Sequence, residues 1–150
     1  MAVFGRRGKP GAPSDLQGGI VTTRTKQEKA NLRLVARIYK EVLGPIDSSA
    51  VDALFDPGYI QHNPNAATGS AGLKEMLDRA KVKYPKAEHR VKRMLADGDL
   101  VAAHVHVIFQ PGDAGFAVVD LFRIAHGRIA EHWDVMQPIT ASTKNNNGRF

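Results

Sequence analysis

Between residues 114 and 138 the chain reads AGFAVVDLFRIAHGRIAEHWDVMQP, and no other stretch constrains its fold as strongly. Residues 116–125 and 129–135 are rich in β-branched and aromatic side chains, which favours two strands. His126-Gly127 between them supplies the positive-φ conformation of a tight hairpin turn. Side chains alternate along a strand, so Phe116, Val118, Asp120, Phe122 and Ile124 share one face, opposite Ala117, Val119, Leu121 and Arg123. Asp120 breaks the apolar pattern of its face. A carboxylate there is either solvated in a cavity or held by partners for chemistry, because burying it alone is costly.

The elements before this hairpin suggest what it packs against. Residues 25–43 form a predicted helix, with Leu32, Val35, Ala36, Ile38, Tyr39 and Val42 recurring at three- and four-residue spacing. Gly44-Pro45 ends it. A short helix over 48–55 follows, then a turn at Pro57-Gly58 and an extended segment over 59–64. The third helix covers 70–84, its inner face formed by Leu73, Met76, Leu77, Ala80 and Tyr84, and Pro85 closes it. Strands are predicted over 91–96 and 100–110, joined at Asp97-Gly98, and Pro111-Gly112-Asp113 leads into the hairpin. Three helices followed by four antiparallel strands make an α+β domain, with the helices on one face of a curved sheet that leaves a cone-shaped cavity.

In a chain of 150 residues, one domain with a core of its own is the expectation. It spans residues 22–139, between a flexible Gly/Pro-rich arm over 1–21 and a flexible polar tail over 140–150. The chain has no cysteine, which excludes disulfides and thiolate metal sites and fits a reducing cytoplasm. No apolar run approaches the ~20 residues of a membrane span, and no apolar segment follows Arg6, Arg7 and Lys9 as a secretory signal requires. The net charge of +6 is spread along the chain without a recognised nucleic-acid motif, so a solvated surface is expected rather than a nucleic-acid partner.

Chemistry concentrates on the strands. His104 and His106 share a face of the 100–110 strand, and Val101, Ala103, Val105, Val107 and Phe109 form the other, uniformly apolar face. If the histidine face coincides with that of Asp120, a carboxylate beside imidazoles suits general acid–base work. A lone strand histidine is ordinarily structural; two at i and i+2 facing an aspartate weaken that reading. His-x-His is also a metal-ligand spacing, but its third ligand would have to be His62 or Asp120, and no metal site is assigned. His62, with Tyr59, Gln61 and Asn63, either rims a pocket mouth or satisfies loop backbone groups. Trp133, on one face with Ile129 and Glu131, is either core or pocket wall, with His132 and Asp134 pointing the other way. The apolar row from Val101 to Phe109, with Val119 and Leu121, is expected on the convex sheet face, where a homodimer would bury it.

The combination of YIQHNP, DGDLVAAHVHV and VVDLFRIAHGRIAEHWDVMQ resembles the SnoaL-like polyketide cyclase family, of the nuclear transport factor 2-like superfamily of cone-shaped α+β folds. The resemblance runs from about Gln27 to Pro138. It implies an aspartate on the penultimate strand as the acid/base, matched by Asp120, and polar residues on the preceding strand that position the substrate, matched by His104 and His106. It implies intramolecular aldol-type chemistry on a small polycarbonyl compound without a cofactor. Tyr59, His62, Phe122, Trp133 and Glu131 are the expected substrate-binding residues. A non-catalytic small-molecule binder, or a related lyase, isomerase or hydrolase, is the alternative.

Overall fold

The computed structural model describes residues 23–141, 143–145 and 147–150, so the predicted arm over 1–21 lies outside the described residues. Helix α1, Lys26–Ile38, starts at a reciprocal cap. Glu28 N–H donates to Thr25 Oγ1 at 3.1 Å, and Thr25 N–H donates to Glu28 Oε2 at 2.7 Å. The same helix is tied to a strand turn by two buried polar side chains. Glu28 Oε1 accepts from Gly98 N–H at 3.3 Å, and Asn31 Nδ2 donates to Gly98 O at 3.0 Å.

The predicted helix over 25–43 is realised in two parts, because its last segment, Tyr39–Leu43, winds as a π-helical turn. Gly44 N–H donates to Tyr39 O at 2.8 Å, one residue further than an α-helix would reach. Gly44 has φ −62°, so no left-handed cap demands glycine. Close approach does: a Cβ there would lie 2.4 Å from Tyr39 O. The wider turn holds Tyr39 and Val42 inward, where both are buried.

The second predicted helix shortens to α2, Val51–Leu54. Phe55 already belongs to strand β1, Phe55–Gln61, which contains the start of the segment expected to be extended. Pro57-Gly58, expected as a turn, falls in an irregularity of this strand, where its register shifts between Phe55 and Ile60. Helix α3, Gly69–Lys83, buries Leu73 and Leu77. The meander follows as β2, Glu88–Asp97; β3, Leu100–Ile108; β4, Phe116–Ala125; and β5, Arg128–Pro138. His126 (φ 51°) and Gly127 (φ 73°) take the left-handed conformation expected of the β4–β5 turn.

The sheet order is β1-β5-β4-β3-β2. β2 to β5 pair antiparallel, whereas β1 pairs parallel with β5, so the five-stranded sheet is mixed rather than wholly antiparallel. The α+β architecture, with helices against a curved sheet, is as the sequence implies. No helix among the described residues is long and apolar enough to cross a membrane.

The β3–β4 register decides which side chains meet. Ala103 lies opposite Asp120, Val105 opposite Val118 and Val101 opposite Phe122. Directly opposed residues share a face, so the apolar row of β3 lies on the Asp120 side, and Val101, Ala103, Val105 and Val107 are buried in the core. This corrects the expectation that the row lies on the convex face to be covered by a second copy. That outer face carries His104 and His106 instead, with Val119 and Val135 exposed. Phe150 lies over the two histidines, its ring centroid 5.1 Å from that of His104 and 4.9 Å from that of His106.

Gly44→Ala is expected to cost ~1–3 kcal/mol, because its methyl group displaces the backbone of the π-helical turn. The check is a chemical denaturation midpoint below that of the wild type. An unchanged midpoint would mean that the turn has room for the methyl group.

Candidate functional site

The cavity between helices and sheet has a volume of about 200 Å³. Its apolar wall includes Leu43, Ile46, Met76, Leu77, Val107 and Val118, and its polar residues include Gln61, Asn63, His89, Asp120, His132 and Asp134. Each polar group arrives for a local reason. Asp120 follows the inward face of β4, and His132 and Asp134 sit opposite Phe122 and Asp120 on β5. Gln61 ends β1, where the parallel pairing sets it against His132.

Asp120 is only 8% exposed, and both carboxylate oxygens are engaged. The Tyr39 hydroxyl donates to Oδ2 from the π-helical turn. His132 Nε2 lies 3.0 Å from Oδ1. Burial, followed by the charge of Asp120, pushes the Tyr39 hydroxyl far above the usual tyrosine range, so it remains a donor. The far side of the imidazole is held too: His132 Nδ1 lies 3.0 Å from Gln61 Oε1, which also accepts Asn63 N–H at 3.0 Å. Asn63 Nδ2 donates to Asp134 Oδ2 at 2.6 Å. Phe122, buried beside the network, stacks on the His132 ring at 4.8 Å and meets Tyr39 edge-on at 6.2 Å.

His89, from β2, also lines the cavity, and its Nδ1 is buried without a hydrogen-bond partner. Burial lowers its pKa from the usual histidine value, against an opposing pull from Asp120. Among the described residues, no group of three or more His, Cys, Asp or Glu side chains is placed to hold a metal ion. Of the two cavity carboxylates, Asp120 is held by a phenol and an imidazole, and Asp134 by an amide.

The sequence-derived site is therefore only partly assembled. Asp120 lies in the cavity as expected, but His104 and His106 do not join it. They pair across from Val119 and Ala117, which places them on the opposite sheet face, and His106 Nε2 contacts Ala114 O at 2.8 Å. Phe122 supports the network from the core, and Tyr59, 2% exposed, packs edge-on against Phe55 rather than rimming the pocket. Burial raises the Tyr59 hydroxyl's pKa, followed by the charges of Asp134 and Asp120.

His62, Glu131 and Trp133 form a separate cluster on the outer face. Glu131 accepts from Arg123 Nε at 2.7 Å and lies 2.8 Å from His62 Nε2, while His62 stacks on Trp133 at 4.6 Å. Trp133 is thus neither core nor cavity wall. The β4–β5 register explains the change: Arg123 pairs with Glu131, but Ile124 pairs with Ile129, leaving Ala130 as a bulge. One extra residue reverses the alternation, so Ile129 is buried while Glu131 and Trp133 face outward. His132 and Asp134, set aside by strict alternation, are thereby inward. Their sequence signal is the continuation of the inward period back from Met136, which a bulge in mid-strand obscures.

Most of these positions fall within a larger family pattern. The SnoaL-like domain model matches residues 35–132, about two-thirds of the chain. The chain belongs to the SnoaL-like domain family. Its fold resembles a protein from Jannaschia sp. CCS1 provisionally named a SnoaL-like polyketide cyclase, at 21% identity and TM-score 0.65, covering 76% of this chain and 90% of the other. A protein from Bacillus cereus ATCC 10987, provisionally named a polyketide cyclase, aligns at 18% identity and TM-score 0.63, over 71% of this chain and 74% of its own. A SnoaL-like protein from Agrobacterium tumefaciens str. C58, provisionally named an isomerase, aligns at 17% identity and TM-score 0.62, over 73% and 98%. No curated protein matches the sequence. At these identities the structural likeness establishes the fold of this SnoaL-like chain, and its chemistry must be argued from its own residues.

Acid titration tests the outer cluster. The His62 contact, then the Arg123 contact, lower the Glu131 pKa below its usual 4.5. A depressed carboxylate adds stability that is present above its unfolded value and lost as pH falls through the folded value. Glu131→Gln should therefore flatten the fall in melting temperature below about pH 4.5, relative to the wild type. Parallel acid limbs for the two proteins would show that the cluster contributes nothing.

Proposed function

We propose that this SnoaL-like protein is a cofactor-independent acid–base enzyme for a small, largely apolar polycarbonyl compound, with Asp120 as the base in an intramolecular aldol-type cyclisation. One observation carries the reading: a carboxylate in an apolar-walled cavity, held by a phenol and an imidazole that also borders the cavity. The provisional cyclase and isomerase names of structural neighbours agree with the general class.

In this mechanism the ligand's apolar frame lies against Leu43, Ile46, Met76, Leu77, Val107 and Val118. Its activated carbon approaches Asp120, which removes a proton flanked by two carbonyls. The enolate attacks a second carbonyl of the same molecule. His132 takes the donor role first expected of His104 and His106, because it contacts Asp120 from within the cavity. Flanking carbonyls already acidify the carbon, so positioning together with roughly 10²–10⁴-fold from proton transfer is sufficient, and no cofactor takes part. Glu131, His62 and Trp133 take no part in substrate binding in this reading. Two copies would pair through the outer sheet face, around Val119 and Val135, in a reducing cytoplasm.

Asp120→Asn tests the assignment. The amide keeps most of the hydrogen bonds but cannot take a proton at neutral pH, so exchange of the central protons of a 1,3-diketone in D2O should slow by at least ~10²-fold. The melting temperature should hold or rise, because the amide lacks the desolvation cost of the charge. A lower melting temperature with wild-type exchange per folded molecule would make Asp120 structural. Diketone binding without exchange in the wild type would favour a non-catalytic binding protein.

A further inference from the structure

Gln61 reaches His132 from the end of the edge strand β1, across the parallel pairing with β5. The hydrogen bonds around it determine where protons can sit. Asn63 N–H can only donate, and it points at Gln61 Oε1 at 3.0 Å, so the oxygen rather than the amide nitrogen must occupy that position. The same oxygen lies 3.0 Å from His132 Nδ1, which must therefore carry a hydrogen. The other nitrogen, Nε2, faces Asp120 Oδ1 at 3.0 Å. A bare Nε2 against a carboxylate oxygen would set lone pair against lone pair, so a proton must lie between them. Rotating the ring would place carbons at both contacts, and stacking on Phe122 holds its plane.

We propose that Gln61 is a positioning residue that fixes His132 with Nδ1 protonated, so that Asp120 and His132 hold one proton between Oδ1 and Nε2 and operate as a closed proton circuit. This deepens the acid–base reading above. Written as a balance, the proton on the ligand carbon passes to Asp120, and the electron pair of the broken C–H bond forms the enolate. After the new C–C bond forms, the Nε2–H of His132 passes to the alkoxide oxygen. Asp120 is then protonated beside a neutral Nε2, and transfer from Oδ1 to Nε2 restores the starting pair. The ligand loses one proton and gains one, so the product is an isomer and no net proton leaves the site. Were Nδ1 bare, the neutral ring would direct Nε2–H at the carboxylate as a fixed donor and could not accept the returning proton there.

Histidine 15N-labelled protein studied by long-range 1H–15N NMR tests the tautomer without any ligand, with His132→Gln identifying the signals. The wild type should show a protonated Nδ1. Gln61→Glu, which keeps an oxygen for both donors, should preserve it; Gln61→Leu should leave Nδ1 bare with the hydrogen on Nε2, and slow diketone exchange roughly tenfold or more. A bare Nδ1 in the wild type, or a protonated Nδ1 that persists in folded Gln61→Leu, would overturn the proposal. If Gln61→Leu does not fold, the wild type and Gln61→Glu decide: both must carry the Nδ1 hydrogen. If the tautomers behave as expected but the wild type exchanges no diketone protons, the acid–base reading falls and the positioning role of Gln61 stands.

Discussion

Burying one carboxylate is the constraint on which much of this structure depends. Removing a charge from water costs several kcal/mol even after the surroundings relax, and an unpartnered carboxylate in an apolar cavity would ordinarily take up a proton or open the site to solvent. Asp120 is instead engaged from two separate elements: the Tyr39 hydroxyl donates to it from the turn after α1, and His132 Nε2 on β5 lies 3.0 Å from its other oxygen. Neither partner is its sequence neighbour. The helix must be docked and the hairpin closed before the charge is satisfied, which couples the integrity of the site to that of the fold.

Two departures from regular geometry bring those partners to their places. The π-helical turn lets the residue after α1 face the sheet, at the cost of a position where a Cβ would press on the Tyr39 carbonyl. The bulge at Ala130 reverses the alternation of β5, so that one strand buries Ile129 near its start and presents His132 and Asp134 to the cavity further on. Both features raise local cost for a gain in placement, as expected where a fold carries a site.

The two sheet faces divide the histidines between them. His132 and His89 belong to the cavity, where one is held by acceptors on both nitrogens and the other has an unpartnered Nδ1. His104, His106 and His62 lie outside among aromatic rings, and the outer cluster of Glu131, Arg123, His62 and Trp133 joins the ends of β1, β4 and β5 without touching the cavity. Among the described residues, no lysine or arginine lines the cavity that holds the inner carboxylates.

The α+β class, the helix from Thr25, the hairpin at His126-Gly127 and the singular position of Asp120 were legible in the sequence, because each follows from local periodicity, capping or turn chemistry. The family was legible as well, since its signature runs through the strands that build the cavity. Which side chains face one another was not. That depends on register and on one inserted residue: Ala103, not His104, lies opposite Asp120, and the Ala130 bulge exchanges Trp133 for His132. A shift of one residue in a strand reverses every side chain beyond it while hardly changing the sequence pattern. Gln61 was legible as a candidate for the pocket mouth, but its contact with His132, like that of Tyr39 with Asp120, was hidden for a related reason. Each residue looks ordinary within its own element, and only tertiary packing, by bringing a helix end and an edge strand to the same carboxylate–imidazole pair, makes them part of the site.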